Sequence, residues 1–125
     1  MHVLLDTHLL IWWLNDDACL SQAARSLIMS ADEIYVSSVS IWEAAIKVQL
    51  GKLDVDIDLL VKAIASEGFI ELPVSVNHAA FILTLPHHHR DPFDRMLISQ
   101  ALSEPLRFLT ADKTLSIYSD LVQLV

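Results

Sequence analysis

The feature that most constrains the fold is an alternation along the chain of two kinds of segment. Short aliphatic and β-branched runs at 2–5 (HVLL), 34–37 (IYVS), 69–72 (FIEL), 106–110 (LRFLT) and 121–125 (LVQLV) have strand length and strand composition. Between them lie segments with helical spacing: 7–14, 21–29, 40–50, 58–68, a helix from Ser75 or Asn77 to 85, 92–103 and a short one at 113–118. The stretch 53–58 (LDVDID) alternates apolar and acidic residues and also fits a strand, but Asp58 ahead of LLVKAIAS fits better as a helix N-cap. Strands that alternate with helices imply a parallel central sheet covered on both faces, an α/β sandwich.

Composition narrows the class. At 125 residues the chain is read as one domain, 1–125, long enough for a real core. A hydrophobic content of 54% with only 2 Gly excludes disorder and exceeds what a small monomer needs, so a buried protein–protein surface is expected. The longest apolar run, LLIWWL at 9–14, falls far short of the roughly 20 residues that span a bilayer. The start of the chain has no basic n-region and runs straight into a strand, so no signal peptide is expected. The single cysteine, Cys19, excludes an intrachain disulfide framework and a Cys-rich zinc site, and fits a reducing cytoplasm. A net charge of −8 argues against a simple nucleic-acid-binding surface. It does not argue against a nuclease, because acids that hold divalent ions invert the local charge.

The segment HHHRDPFDRMLISQAL at 87–102 raises the chemical question. Asp91 suits an N-cap and Pro92 the first helical position. Asp94 then shares a helix face with Leu97, Ile98 and Ala101, so a carboxylate points toward an apolar interior and needs a partner. In an open parallel sheet, strand C-termini and the helix N-termini that follow them share one edge, where ligands bind. Asp6 ends the first strand, Glu43 opens the helix after the second, Asp94 opens a later helix and Asp112 follows the fourth strand. Four carboxylates gathered at one edge repel one another. Mg²⁺ or Mn²⁺ resolves that conflict, since hard ions prefer carboxylate and water oxygens. Each acid also has a local reading: Asp6 and Asp91 as caps, Ser40-x-x-Glu43 as a capping box, Asp94 as a capping partner of Asp91, Asp112 as part of a turn. Their joint placement favours a metal site.

Taken together, VLLDTHLLIWWL, VSSVSIWEAAIKVQLGKL, LPHHHRDPFDRMLISQAL and FLTADKTLSIY resemble the PIN-domain ribonucleases, and within them the VapC-type toxins of toxin–antitoxin pairs. The resemblance covers the whole chain, and HRDPFDRMLISQA is its most specific piece. Position by position, the family's acidic tetrad falls on Asp6, Glu43, Asp94 and Asp112. The resemblance implies a Rossmann-like α/β/α sandwich, RNA hydrolysis dependent on Mg²⁺ or Mn²⁺, homodimerisation, and inhibition by a VapB-like antitoxin. Asp6 and Asp94 would be the firmest ligands, with Glu43 and Asp112 completing the site. The implied products are a 5′-phosphate and a 3′-hydroxyl. Asp91 is an additional nearby acid, and Thr7, Ser38, Arg95 and Thr110 are candidate supporting or substrate contacts.

Other features are read more plainly. His87, His88 and His89 lack metal-ligand spacing and fit a solvated loop near the site mouth, with His89 or Arg90 as a possible RNA contact. His8 is read as a helix-surface residue. Trp12, Trp13 and Trp42 fit core packing, or a groove on the early helices for an amphipathic antitoxin helix. Lys47, Lys52, Lys113, Arg90, Arg95 and Arg107 are the only bases near the proposed edge, most of them read as surface or salt-bridge residues. Two other classes fit the length and sheet. A phosphoacceptor receiver domain wants paired acids after the first strand and a Lys after the last, which are missing here. A non-catalytic PIN scaffold has no use for a complete acid set.

Overall fold

The computed structural model describes residues 1–125. The elements are β1 (His2–Leu5), α1 (Thr7–Leu14), α2 (Gln22–Ser30), β2 (Glu33–Ser37), α3 (Ser38–Gln49), α4 (Ile57–Ser66), β3 (Ile70–Leu72), α5 (Val76–Phe81), α6 (Pro92–Ser103), β4 (Arg107–Thr110) and β5 (Val122–Leu124). Turns of 3-10 helix follow α5 at Ile82–Thr84 and β4 at Lys113–Tyr118. The strands form one sheet in the order β3-β2-β1-β4-β5, and every neighbouring pair is parallel. This is the Rossmann order without a sixth strand. Receiver domains use a flavodoxin-like order with the second strand outermost, so the topology removes that alternative.

The period of two along each strand sorts the core into two layers. Val3, Leu5, Ile34, Val36 and Leu109 face α1, α2 and α4, where Leu9, Leu10, Ala24, Ile28, Leu60 and Ile64 complete one cluster. Leu4 and Phe108 face the other way, onto Leu97, Ile98 and Ala101 of α6. Each fully buried leucine or phenylalanine contributes about 1.5–3 kcal/mol relative to exposure. The apolar stripe that accompanies Asp94 is therefore what docks α6 on the sheet.

Several local expectations need correction. Helix α4 starts before Asp58: Asp56 is its N-cap, accepting from the backbone N–H of Asp58 (3.0 Å) and Leu59 (3.3 Å). No strand forms at 53–58. Ser40-x-x-Glu43 is not a capping box. Ser37 caps α3 by accepting from Val39 N–H (3.0 Å), so Ser40 lies inside the helix and Glu43 in its second turn. The expected helix at 75–85 is a six-residue α5 followed by 3-10 turn. That at 113–118 is 3-10 throughout.

Candidate active site

The order of the strands creates the cleft. Beyond β1 and β4 the chain leaves the sheet in different directions, and ligands bind at such a switch point, outside the strands' C-termini. Here a cleft of about 450 Å³ is lined by Asp6, His8, Trp12, Glu43, Lys47, Asp91, Asp94, Ala111 and Asp112. The four acids singled out from the sequence, and Asp91 with them, thus meet in one place from four separate segments.

Each is held by local chemistry. Asp6 ends β1 and caps α1. Its Oδ1 accepts from His8 N–H (2.8 Å) and its Oδ2 from the Thr110 hydroxyl (2.6 Å) at the end of β4. Thr110 Oγ1 in turn accepts from Asp112 N–H (3.1 Å), so one threonine ties the ends of both central strands together, gripping the Asp6 carboxylate and the Asp112 backbone. Thr7 donates to Ser40 Oγ (2.9 Å), fixing α1 against α3 one turn before Glu43. Glu43 is 4% exposed and pairs with Lys47 Nζ at 2.9 Å. Asp91 caps α6, its Oδ1 accepting from the N–H groups of Phe93 (2.8 Å) and Asp94 (3.2 Å). Asp112 accepts from the Thr114 hydroxyl (2.7 Å), which foremost holds its carboxyl below the usual range.

Asp94 is the outlier. It lies in the first turn of α6, where the helix dipole favours a negative charge by about 0.3–1 kcal/mol. Its carboxyl is nevertheless pushed up to about 7, first by burial and then by the charges of Asp91, Asp6, Glu43 and Asp112. Desolvation and like charge outweigh the dipole. His8 is drawn above its ordinary value by the Asp6 carboxylate 3.6 Å from its Nδ1.

The supporting residues divide. Thr7 and Thr110 brace the acids. Ser38 instead borders two apolar hollows away from the cleft, and Arg95 pins the preceding loop by donating to the Pro86 carbonyl (3.0 Å). His89 is fastened rather than free: its ring nitrogens lie 2.8 Å from Thr114 Oγ1 and 3.2 Å from the Tyr118 hydroxyl, which ties the histidine loop to the turn carrying Asp112. None of the three tryptophans lines the groove between α1 and α4, which is formed by Ile11, Leu14, Asn15, Val55, Leu59 and their neighbours. Trp12 borders the acid cleft and Trp42 is 61% exposed against Phe93. His8 and Trp12 are cleft residues the sequence reading did not place there. Of the six bases expected near the edge, only Lys47 lines the cleft, and its i, i+4 spacing from Glu43 was the signal that set it apart.

In the side-chain positions shown, no three Asp, Glu, His or Cys groups converge closely enough to cage an ion. The donor chemistry does fit one: hard carboxylate oxygens on several rigid elements, with the Asp94 carboxyl pushed up to about 7 by burial and by the neighbouring acids that a bound cation would relieve.

A fold of this order with acids at its switch point is that of a PIN domain, and the chain belongs to the PIN-domain family, whose model matches residues 3–121. Among its relatives, Ribonuclease VapC22 of Mycobacterium tuberculosis is 31% identical over 116 residues, 90% of this chain and 88% of that protein. Solved structures share the fold at low identity. A chain of the crystal structure of VapBC2 from Rickettsia felis bound to a DNA fragment from their promoter superposes with a TM-score of 0.74 at 15% identity, covering 100% of this chain and 98% of that one. A chain of FitAcB from Neisseria gonorrhoeae gives 0.64 at 17% identity, covering 92% and 91%. A chain of a toxin–antitoxin complex from Klebsiella pneumoniae gives 0.61 at 16%, covering 91% and 90%.

Proposed function

We propose that this chain is a toxin endoribonuclease that hydrolyses RNA phosphodiester bonds in the acid cleft, with Mg²⁺ or Mn²⁺ held by Asp6, Glu43, Asp94 and Asp112. The observation that carries this reading is the convergence of those four acids on one cleft in a chain 31% identical to a VapC ribonuclease. When bound, a divalent ion supplies charge neutralisation at the phosphate and lowers the pKa of an attacking water. The protein's part is to position and to shield. Thr110 orients Asp6 and Asp112 together, Thr7 and Ser40 brace the helix that presents Glu43, and α6 presents Asp94 at its N-terminus.

A VapB-like antitoxin and a homodimeric state belong to the same reading. The groove between α1 and α4, about 340 Å³ with Leu59 62% exposed and Asp54 and Asp56 on its rim, suits the apolar face of a basic amphipathic helix. No helix is long and apolar enough to cross a membrane, and the free, exposed Cys19 accords with a reducing cytoplasm.

The decisive experiment is sequencing of RNA 5′ ends after induced expression, beside an Asp6→Ala control, followed by cleavage with purified protein in Mn²⁺ or EDTA. New 5′-phosphate ends that vanish in the control and in EDTA are expected. Equal ends with and without Asp6, or cleavage unaffected by EDTA, would refute the metal-dependent nuclease.

A further inference from the structure

The cleft holds five carboxyl groups and a single lysine or arginine, Lys47. A phosphodiester that enters must meet those acids, so the lone ammonium has an outsized effect on whether RNA can approach. Lys47 lies one turn beyond Glu43 on α3, and helical side chains lean toward the helix N-terminus. That tilt carries its ammonium back toward the cleft and onto Glu43 Oε2, 2.9 Å away. Ordinary i, i+4 pairs lie on a wet surface and contribute little. This pair differs: the Glu43 side chain is 6% exposed and that of Lys47 37%.

We infer that Lys47 is the built-in counter-cation of the cleft, neutralising Glu43 in the metal-free protein and turning to a phosphate oxygen of the RNA once a divalent ion holds Glu43. The inference rests on the nuclease reading above and extends it to a residue outside the acid set. The physical basis is exchange of partners. A carboxylate shared with a divalent ion attracts an ammonium less strongly, and a lysine on a flexible four-carbon stem re-aims its three donors over a few ångströms. The phosphate is then the anion left for it to bind.

The test compares Lys47→Met and Lys47→Arg with the parent protein, first confirming by thermal melting that all three fold. Mn²⁺ binding is measured by calorimetry without RNA. Binding of a labelled mixed-sequence single-stranded RNA is measured in saturating Ca²⁺ as a function of salt. Removal of a competing cation should tighten Mn²⁺ binding by roughly fivefold in Lys47→Met. The same variant should lose about 0.7 from the slope of log affinity against log salt, one phosphate contact on a single strand, while Lys47→Arg keeps that slope. Weaker Mn²⁺ binding in Lys47→Met with an unchanged salt slope would overturn the inference and reduce Lys47 to a brace for Glu43. A parent protein that takes up no Mn²⁺ would sink the metal reading itself, a separate and recognisable failure.

Discussion

Two polar clusters are built into this sandwich, and the chain treats them in opposite ways. Among β2, α5 and α6, Ser37 donates to Gln100 Oε1 (2.5 Å), and Gln100 Nε2 donates to the carbonyl of Pro73 (3.3 Å). Ser99 donates to the His78 carbonyl (2.6 Å), while His78 Nδ1 accepts from Ser75 N–H (3.0 Å) and its other nitrogen pairs with Glu104. Ser37, Ser99 and Gln100 are fully buried, and no buried side-chain polar atom in the protein lacks a partner. In the acid cleft Asp6, Glu43, Asp91 and Asp112 each take a hydrogen bond or an ion pair, but the Asp94 side chain takes none, and five carboxyl groups stand against one lysine. A polar cluster balanced within the chain holds structure. One whose charge is left unbalanced requires something from outside.

That contrast is broken most forcefully by Asp94→Asn. If the cleft is catalytic, RNA cleavage should fall by about 10³-fold, equivalent to about 4 kcal/mol of activation free energy. The melting temperature should not fall, because no hydrogen bond to the Asp94 side chain holds the fold. Cleavage near the parent rate by a folded variant would remove Asp94 from the reaction. The inner cluster should answer in reverse. Gln100→Leu leaves the Ser37 hydroxyl proton without an acceptor in the core and should cost about 2–3 kcal/mol of stability in denaturant unfolding. Cleavage by the folded fraction should be unchanged. A loss of activity larger than the loss of folded protein would show that the two clusters are coupled.

Much of this was legible in the residues. The strand and helix alternation gave the parallel sheet because each apolar run is short and each helix has a marked start, such as Asp91-Pro92. The acids could be assigned to one edge because a parallel sheet places every strand end there. What could not be read depended on contacts distant in sequence. Ser40 looks like a cap in SIWE, but Ser37 takes that role, freeing Ser40 for Thr7, 33 positions away. His78 and Gln100 show nothing in sequence of a network assembled from four segments. His89 sits in a run of three histidines, yet only the fold brings it to Thr114 beside Asp112.

A smaller effect comes from pH. In the native protein Asp94 titrates near 7, against 3.8 for the free side chain, so the folded state holds the proton more tightly than the unfolded one. The contribution of Asp94 to stability is therefore fullest below about pH 4 and is lost as pH rises through 7. Metal-free Asp94→Asn should match the parent at pH 4 and exceed it at pH 8 by about 1–2 kcal/mol, allowing for solvent screening of a partly buried group. Equal stability at both pH values would mean that the cleft does not strain the Asp94 carboxylate.

The finest distinction separates the two roles of Asp91, which is both the N-cap of α6 and the acid whose charge acts most strongly on Asp94. Asn caps a helix as well as Asp does, whereas Ala costs about 1 kcal/mol. Asp91→Asn should thus leave stability within a few tenths of a kcal/mol of the parent while lowering the Asp94 pKa, as followed by carboxyl ¹³C shifts in a pH titration. The value should remain above the ordinary aspartate range, because burial, the larger cause, is untouched. Asp91→Ala should lower the pKa in the same way and lose the cap energy as well. If Asp91→Asn leaves the titration of Asp94 unmoved, the charge imbalance that sets the cleft apart from the Ser37–Gln100–His78 cluster does not include Asp91, and its place is that of a helix cap alone.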